Sequence, residues 1–65
     1  MKRLYETTLP VKVYAELSDG SEFFTVSHLD GMYSYGESAK GETVHLAAAT
    51  PLIQFKDGYK ISDEE

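Results

Sequence analysis

From Pro10 to Leu17 the chain alternates between apolar and polar positions. Val11, Val13, Ala15 and Leu17 fall on one side, Lys12, Tyr14 and Glu16 on the other. A period of two over this length predicts a half-buried strand. Ser18-Asp19-Gly20-Ser21 follows it, and Asp-Gly between alternating runs signals a hairpin because both central residues of a type I′ turn need positive φ. A two-residue turn pairs Ser18 with Ser21, Ala15 with Phe24, Tyr14 with Thr25, Val13 with Val26 and Val11 with His28. One face then carries Val11, Val13, Ala15, Phe24 and Val26, and the other Lys12, Tyr14, Glu16, Phe23, Thr25 and Ser27. A slip of one residue would send Thr25 and Ser27 into the core.

The last hairpin gives a different answer. A two-residue Asp57-Gly58 turn would set Phe55 against Lys60 and Gln54 against Ile61, mixing polar and apolar residues on both faces. A three-residue loop, Lys56-Asp57-Gly58, with Gly58 at positive φ in a G1 bulge, instead pairs Phe55 with Tyr59 and Ile53 with Ile61. The expected core is therefore Val11, Val13, Ala15, Phe24, Val26, Ile53, Phe55 and Ile61. The third Asp-Gly pair, Asp30-Gly31, leaves its register open. A Leu29-Asp30-Gly31 loop puts Met32 in the core and Tyr33 and Tyr35 on the outer face, whereas a two-residue turn sends both tyrosines inward beside Val26 and His28.

The remaining segments read more simply. Lys2 to Thr8 is an edge strand, residues 36–41 a polar loop and Glu42 to Leu46 a further strand. Ala47-Ala48-Ala49-Thr50 either extends that strand or makes one helical turn before Pro51, which holds Thr50 extended. These elements make an all-β domain over residues 1–61: a small antiparallel meander of five or six strands, curled into an SH3-like, partly open barrel. This is an architectural analogy, with no family motif behind it. Residues 62–65 form an acidic mobile tail.

Composition narrows function mainly by exclusion. Sixty-five residues make one domain with a core too small to enclose the substrate clefts of about 300–1,000 Å³ typical of enzymes. No cysteine is present, so neither a disulfide framework nor a thiolate metal site is available. No apolar run approaches the roughly 20 residues of a membrane span, and Lys2-Arg3 is followed by no signal-like stretch, so a cytoplasmic protein without membrane contact is expected.

The five glycines punctuate turns, and none opens a phosphate-binding loop. His28 and His45 lack the close spacing of a preformed metal pair and read as packing or surface residues. The acids before glycine, Asp19, Asp30 and Asp57, are explained by turn chemistry. No catalytic residue, metal or cofactor is expected.

What remains is a surface. Tyr14 and Phe23 stand where a fully solvated face would be more polar, and Tyr33 and Tyr35 join them if the Leu29-Asp30-Gly31 loop holds. These four residues are the expected binding site of a non-catalytic protein-interaction module, which takes a partner or another copy of itself through this face or a strand edge. A nucleic-acid-binding barrel is the alternative, since bases stack on such rings, and an acidic inhibitor of a basic protein is another. Six cations against eleven acids, a formal charge of −5 with no basic run beyond Lys2-Arg3, weigh against phosphate binding.

Overall fold

The computed structural model describes residues 2–62. Over them the chain is all-β: one seven-stranded mixed sheet that does not close. The strands are β1 (Lys2–Arg3), β2 (Val11–Tyr14), β3 (Phe23–Asp30), β4 (Tyr33–Ser38), β5 (Thr43–Ala47), β6 (Pro51–Phe55) and β7 (Gly58–Ile61), with a 3-10 turn at Leu4–Glu6. Their spatial order is β1-β6-β7-β2-β3-β4-β5. Two features correct the expected five- or six-stranded antiparallel meander: there are seven strands, and β2 runs parallel to β7, with Val13 opposite Tyr59 and Tyr14 opposite Lys60. Only residues 48–50 join β5, at one end of the sheet, to β6, near the other, so the sheet must curl to bring them together.

The hollow of the curl is filled by Leu4, Val11, Val13, Phe24, Val26 and Leu52, with Leu9, Ala15, Leu17, Val44, Leu46 and Tyr59 packed against them. Four of the eight expected core residues, Val11, Val13, Phe24 and Val26, are buried, and Ala15 lies at the edge of the cluster. The faces of the first hairpin are as the alternation predicts, although its register differs by two residues. Val11 pairs with Val26, Val13 with Phe24 and Tyr14 with Phe23. A shift of two preserves which face each side chain occupies. The hairpin closes through a wider loop, in which Ala15 N–H donates to Glu22 O and Leu17 N–H to Ser21 O.

The last hairpin corrects the sequence reading. Its loop is Lys56-Asp57, with Lys56 at φ 52°, and Phe55 pairs with Gly58 and Gln54 with Tyr59. Leu52 thus takes the core position expected for Ile53, which with Phe55 is half-buried outside the central cluster, while Ile61 is exposed. The reason is the unforeseen neighbour. Gly58 lies so close to β2 that a Cβ there would stand 2.5 Å from the Lys12 carbonyl oxygen, so glycine serves close approach and not a positive φ.

The middle turn takes a register that neither reading described. Gly31, at φ 63°, and Met32 form the loop, Asp30 pairs with Tyr33, and Met32 is 80% exposed instead of joining the core. A register shift between Val26 and His28 marks a bulge at Ser27. It reverses the alternation of β3: Phe24 and Val26 point inward, yet His28 faces outward against Tyr35.

Other boundaries move as well. Residues 36–38 belong to β4 instead of a loop, and the opening strand is only Lys2–Arg3 before the 3-10 turn. Ala48 to Thr50 make a reverse turn in which Thr50 N–H donates to Ala47 O. Of the acidic tail, Ser62 N–H donates to Pro51 O, while residues 63–65 lie outside the described residues.

Candidate functional site

The cross-strand pair Tyr14 and Phe23 opens the outer face. Their ring centroids are 5.8 Å apart, and Phe55 meets Tyr14 edge-on at 5.2 Å, a side chain brought there by the parallel β2–β7 pairing. Lysines surround the three rings. Lys12 Nζ lies 4.5 Å from the Phe23 centroid, Lys56 Nζ 5.3 Å from those of Tyr14 and Phe55, and Lys60 Nζ 5.1 Å from that of Phe55. Half of the chain's six cations therefore gather on one aromatic patch, although they are scattered in sequence.

Asp57 ties this patch together. Its carboxylate accepts a hydrogen bond from the Tyr14 hydroxyl and another, at 3.1 Å, from Lys12 Nζ. The Tyr14 hydroxyl, and after it Lys12, hold the Asp57 carboxyl below the usual carboxylate range. The same hydrogen bonds raise the Lys12 ammonium and the Tyr14 phenol above their ordinary values, since losing either proton would leave the carboxylate without its donor. A shallow groove beside the patch is lined by Tyr14, Ala15, Glu16, Glu22, Phe55, Lys56 and Lys60.

A second focus lies along β4. The Tyr35 ring stacks on His28 at 4.7 Å and nearly parallel, with His45 of β5 6.1 Å away on its other strand neighbour. His28 Nδ1 is 2.9 Å from Ser27 Oγ. Tyr33, 63% exposed, borders an apolar recess of about 320 Å³ formed with Tyr5, Gly31, Met32 and Ala47 to Ala49. Of the four residues expected to form the site, Tyr14 and Phe23 are thus in contact. Tyr33 and Tyr35 are exposed on β4, and among the described residues no ring contact joins them to the first pair.

Sequence reasoning missed Phe55, Lys56, Lys60 and Asp57 because they reach the patch only through the β2–β7 pairing. Lys12 was legible, two residues before Tyr14 on the same face. His28 was hidden by the bulge.

A separate polar cluster fastens the first hairpin loop to the β4–β5 connection. Asp19 accepts from Ser21 N–H at 2.8 Å and from the Ser38 hydroxyl, Lys40 Nζ donates to the Asp19 carbonyl at 3.0 Å, and Ser18 Oγ donates to Glu42 Oε1 at 2.7 Å. The Ser38 hydroxyl, followed by the Ser21 contacts, keeps the Asp19 carboxyl below its ordinary range. These groups bond one another, so the arrangement is that of a loop clamp. Among the described residues no three His, Cys, Asp or Glu side chains come together to hold a metal, and no helix is long and apolar enough to cross a membrane. No protein-family model, no curated protein and no solved structure matches the chain.

Proposed function

We propose that this chain is a non-catalytic interaction module that binds a protein partner through the outer face of its sheet. The observation that carries this reading is the patch of Tyr14, Phe23 and Phe55 encircled by Lys12, Lys56 and Lys60 on a chain of formal charge −5. Aromatic rings supply contact area at low entropic cost, and lysines spread over them on an acidic protein select an acidic, apolar segment of the partner. Tyr33 and Tyr35 extend the surface along β4. An SH3-like, partly open barrel that works in the cytoplasm is the setting this reading assumes.

Nucleic-acid binding is the second reading. What favours it is the same interleaving of lysine and ring, since single-stranded bases stack on aromatic side chains while cations contact the phosphates. Asp57, bonded to both Tyr14 and Lys12, places a negative charge within that surface and weighs on the side of protein.

The discriminating experiment is affinity capture from the native host lysate with and without nuclease, using the parent chain, Lys56→Glu and Tyr35→Ser. Capture of a protein that survives nuclease and weakens in both variants supports the module. Capture abolished by nuclease makes the nucleic-acid reading correct, and capture unaltered by either substitution removes the outer face from consideration.

A further inference from the structure

The two ends of the sheet are protected very differently. β1 has two residues, both cationic, and such a short charged edge resists pairing with another strand. At the other end β5 runs for five residues, Thr43-Val44-His45-Leu46-Ala47, without an Asp, Glu, Lys, Arg, proline or glycine, and β4 alone pairs with it in the sheet. Backbone direction along β5 follows from its flanks. Glu42 O accepts from Ser38 N–H, and Ala48 N–H donates to Met32 O, so even-numbered residues turn their backbone groups toward β4. The N–H and C=O groups of Thr43 and His45, and the N–H of Ala47, therefore point out of the sheet, and among the described residues none of them has a hydrogen-bond partner.

Within the interaction-module reading, we propose that the β5 edge takes a second copy of this chain, pairing antiparallel with its own β5 about a two-fold axis at His45. In that register His45 faces its counterpart as a hydrogen-bonded pair, and each Ala47 N–H donates to the opposite Thr43 carbonyl, while the Ala47 carbonyl stays with the Thr50 N–H and hydroxyl. The His45 and Ala47 N–H donors of both copies thus meet acceptors. Val44, half-buried against the core, comes opposite Leu46, so the inner apolar surface continues from one copy into the next.

The charges at the two ends favour a copy of the same chain. Glu42 lies just before the strand, and Arg3 lies just beyond it, its guanidinium held on the Ala49 carbonyl at 3.0 Å. Antiparallel pairing brings each Glu42 to the partner's Arg3 end, not to the partner's Glu42. The nearby Glu6 carboxylate is already turned toward the Arg3 N–H, at 2.8 Å. Pairing through one short strand buries less than a standard interface, so association is weak and falls within about 10 µM to 1 mM.

Because position 45 meets itself, the test is a charge swap, read by sedimentation over that concentration range with thermal melts to show that each variant is folded. His45→Lys and His45→Glu should each weaken self-association by about tenfold or more, since like charges then stand directly opposite. An equimolar mixture of the two should restore it as a heterodimer. Lys56→Glu, on the outer face, should dimerise like the parent.

A monomeric parent chain at 1 mM, or folded His45→Lys that associates as the parent does, would overturn the β5 pairing without touching the outer-face reading. Failure of the mixed variants to associate would overturn the His45-centred register. Loss of the dimer in Lys56→Glu would transfer self-association to the outer face.

Discussion

Gly36 is the position where one added methyl group should do the most damage. It lies opposite Val26, beside the Ser27 bulge, and is buried. A Cβ built there would stand 1.8 Å from the Thr25 carbonyl oxygen, 2.6 Å from the Thr25 carbonyl carbon and 2.7 Å from Val26 Cα. All three are backbone atoms, so no side-chain rotation relieves the clash.

A carbon and a carbonyl oxygen in contact sit about 3.3 Å apart, so β3 and β4 would have to separate locally by roughly 1.5 Å. That distance breaks the ladder bonds on either side, because N–H···O contacts lose their strength beyond about 3.2 Å. Overpacking of this kind costs about 1–3 kcal/mol, and each buried backbone group left unpaired about 1–3 kcal/mol more. The sum matches the roughly 3–5 kcal/mol that a core of this size supplies.

Gly36→Ala should therefore be largely unfolded at 25 °C by circular dichroism and urea titration. Gly41→Ala is the control: its Cβ meets nothing within 4 Å, and only its φ of 86° penalises a side chain. It should lose about 5–15 °C in Tm, the equivalent of about 1–2 kcal/mol. Cooperative melting of Gly36→Ala within about 5 °C of the parent would refute the close approach of β3 and β4.

Phe24→Ala removes the largest fully buried side chain and should cost about 3–5 kcal/mol, leaving a chain without a cooperative melt, whereas Ile61→Ala should shift Tm by only a few degrees. At Gly58 the series Ala, Asn and Val should destabilise in all three cases. Asparagine is tolerated at positive φ, so Gly58→Asn melting like the parent would reinstate the bulged loop and dismiss the contact with Lys12. The Asp19 and Asp57 carboxyls are both depressed in the folded chain, so their contribution is complete above the unfolded value near 3.8 and is lost as pH falls through their lower folded values. Tm should fall with acid below about pH 4, less steeply in Asp19→Asn and Asp57→Asn, and an unchanged acid limb in both variants would contradict the hydrogen bonds assigned to these groups.

The first hairpin was legible because two independent signals agreed. The alternation of Val11, Val13, Phe24 and Val26 defines an inner face that a two-residue error in register leaves intact, and Asp19-Gly20 marks the reversal. The last hairpin was not legible for a related reason. Its alternation, Leu52, Ile53, Gln54, Phe55, offers apolar residues to both faces, and the choice is made by a parallel contact with a strand more than forty residues away in sequence. Local turn chemistry cannot report such a contact. Met32 shows the same limit, since Gly31 takes the first turn position and carries Met32 out to solvent, whatever its hydrophobicity. At the candidate site, Tyr14, Phe23 and Lys12 followed from the hairpin faces, whereas Lys56, Lys60 and Phe55 came from pairing between distant segments.

Gly58 links these observations. By allowing β7 to lie against Lys12 it fixes which face of the last hairpin turns inward, and so admits Leu52 to the core and keeps Phe55 outside. The same approach brings Lys60 opposite Tyr14, Phe55 against the Tyr14 ring, and the Asp57 carboxylate within reach of both Lys12 and the Tyr14 hydroxyl. Lys56, Asp57, Lys60 and Phe55 all belong to this hairpin, and none would meet Tyr14 if β7 moved away from β2. The residue that sets the packing thus also assembles the cationic aromatic patch. Displacing β7 would disperse that patch directly, whereas Tyr35, His28 and the β5 edge are placed by the β3–β4 and β4–β5 pairings. The outer-face site and the β5 edge accordingly depend on different parts of the fold, which is why substitutions at positions 56 and 45 can report on them separately.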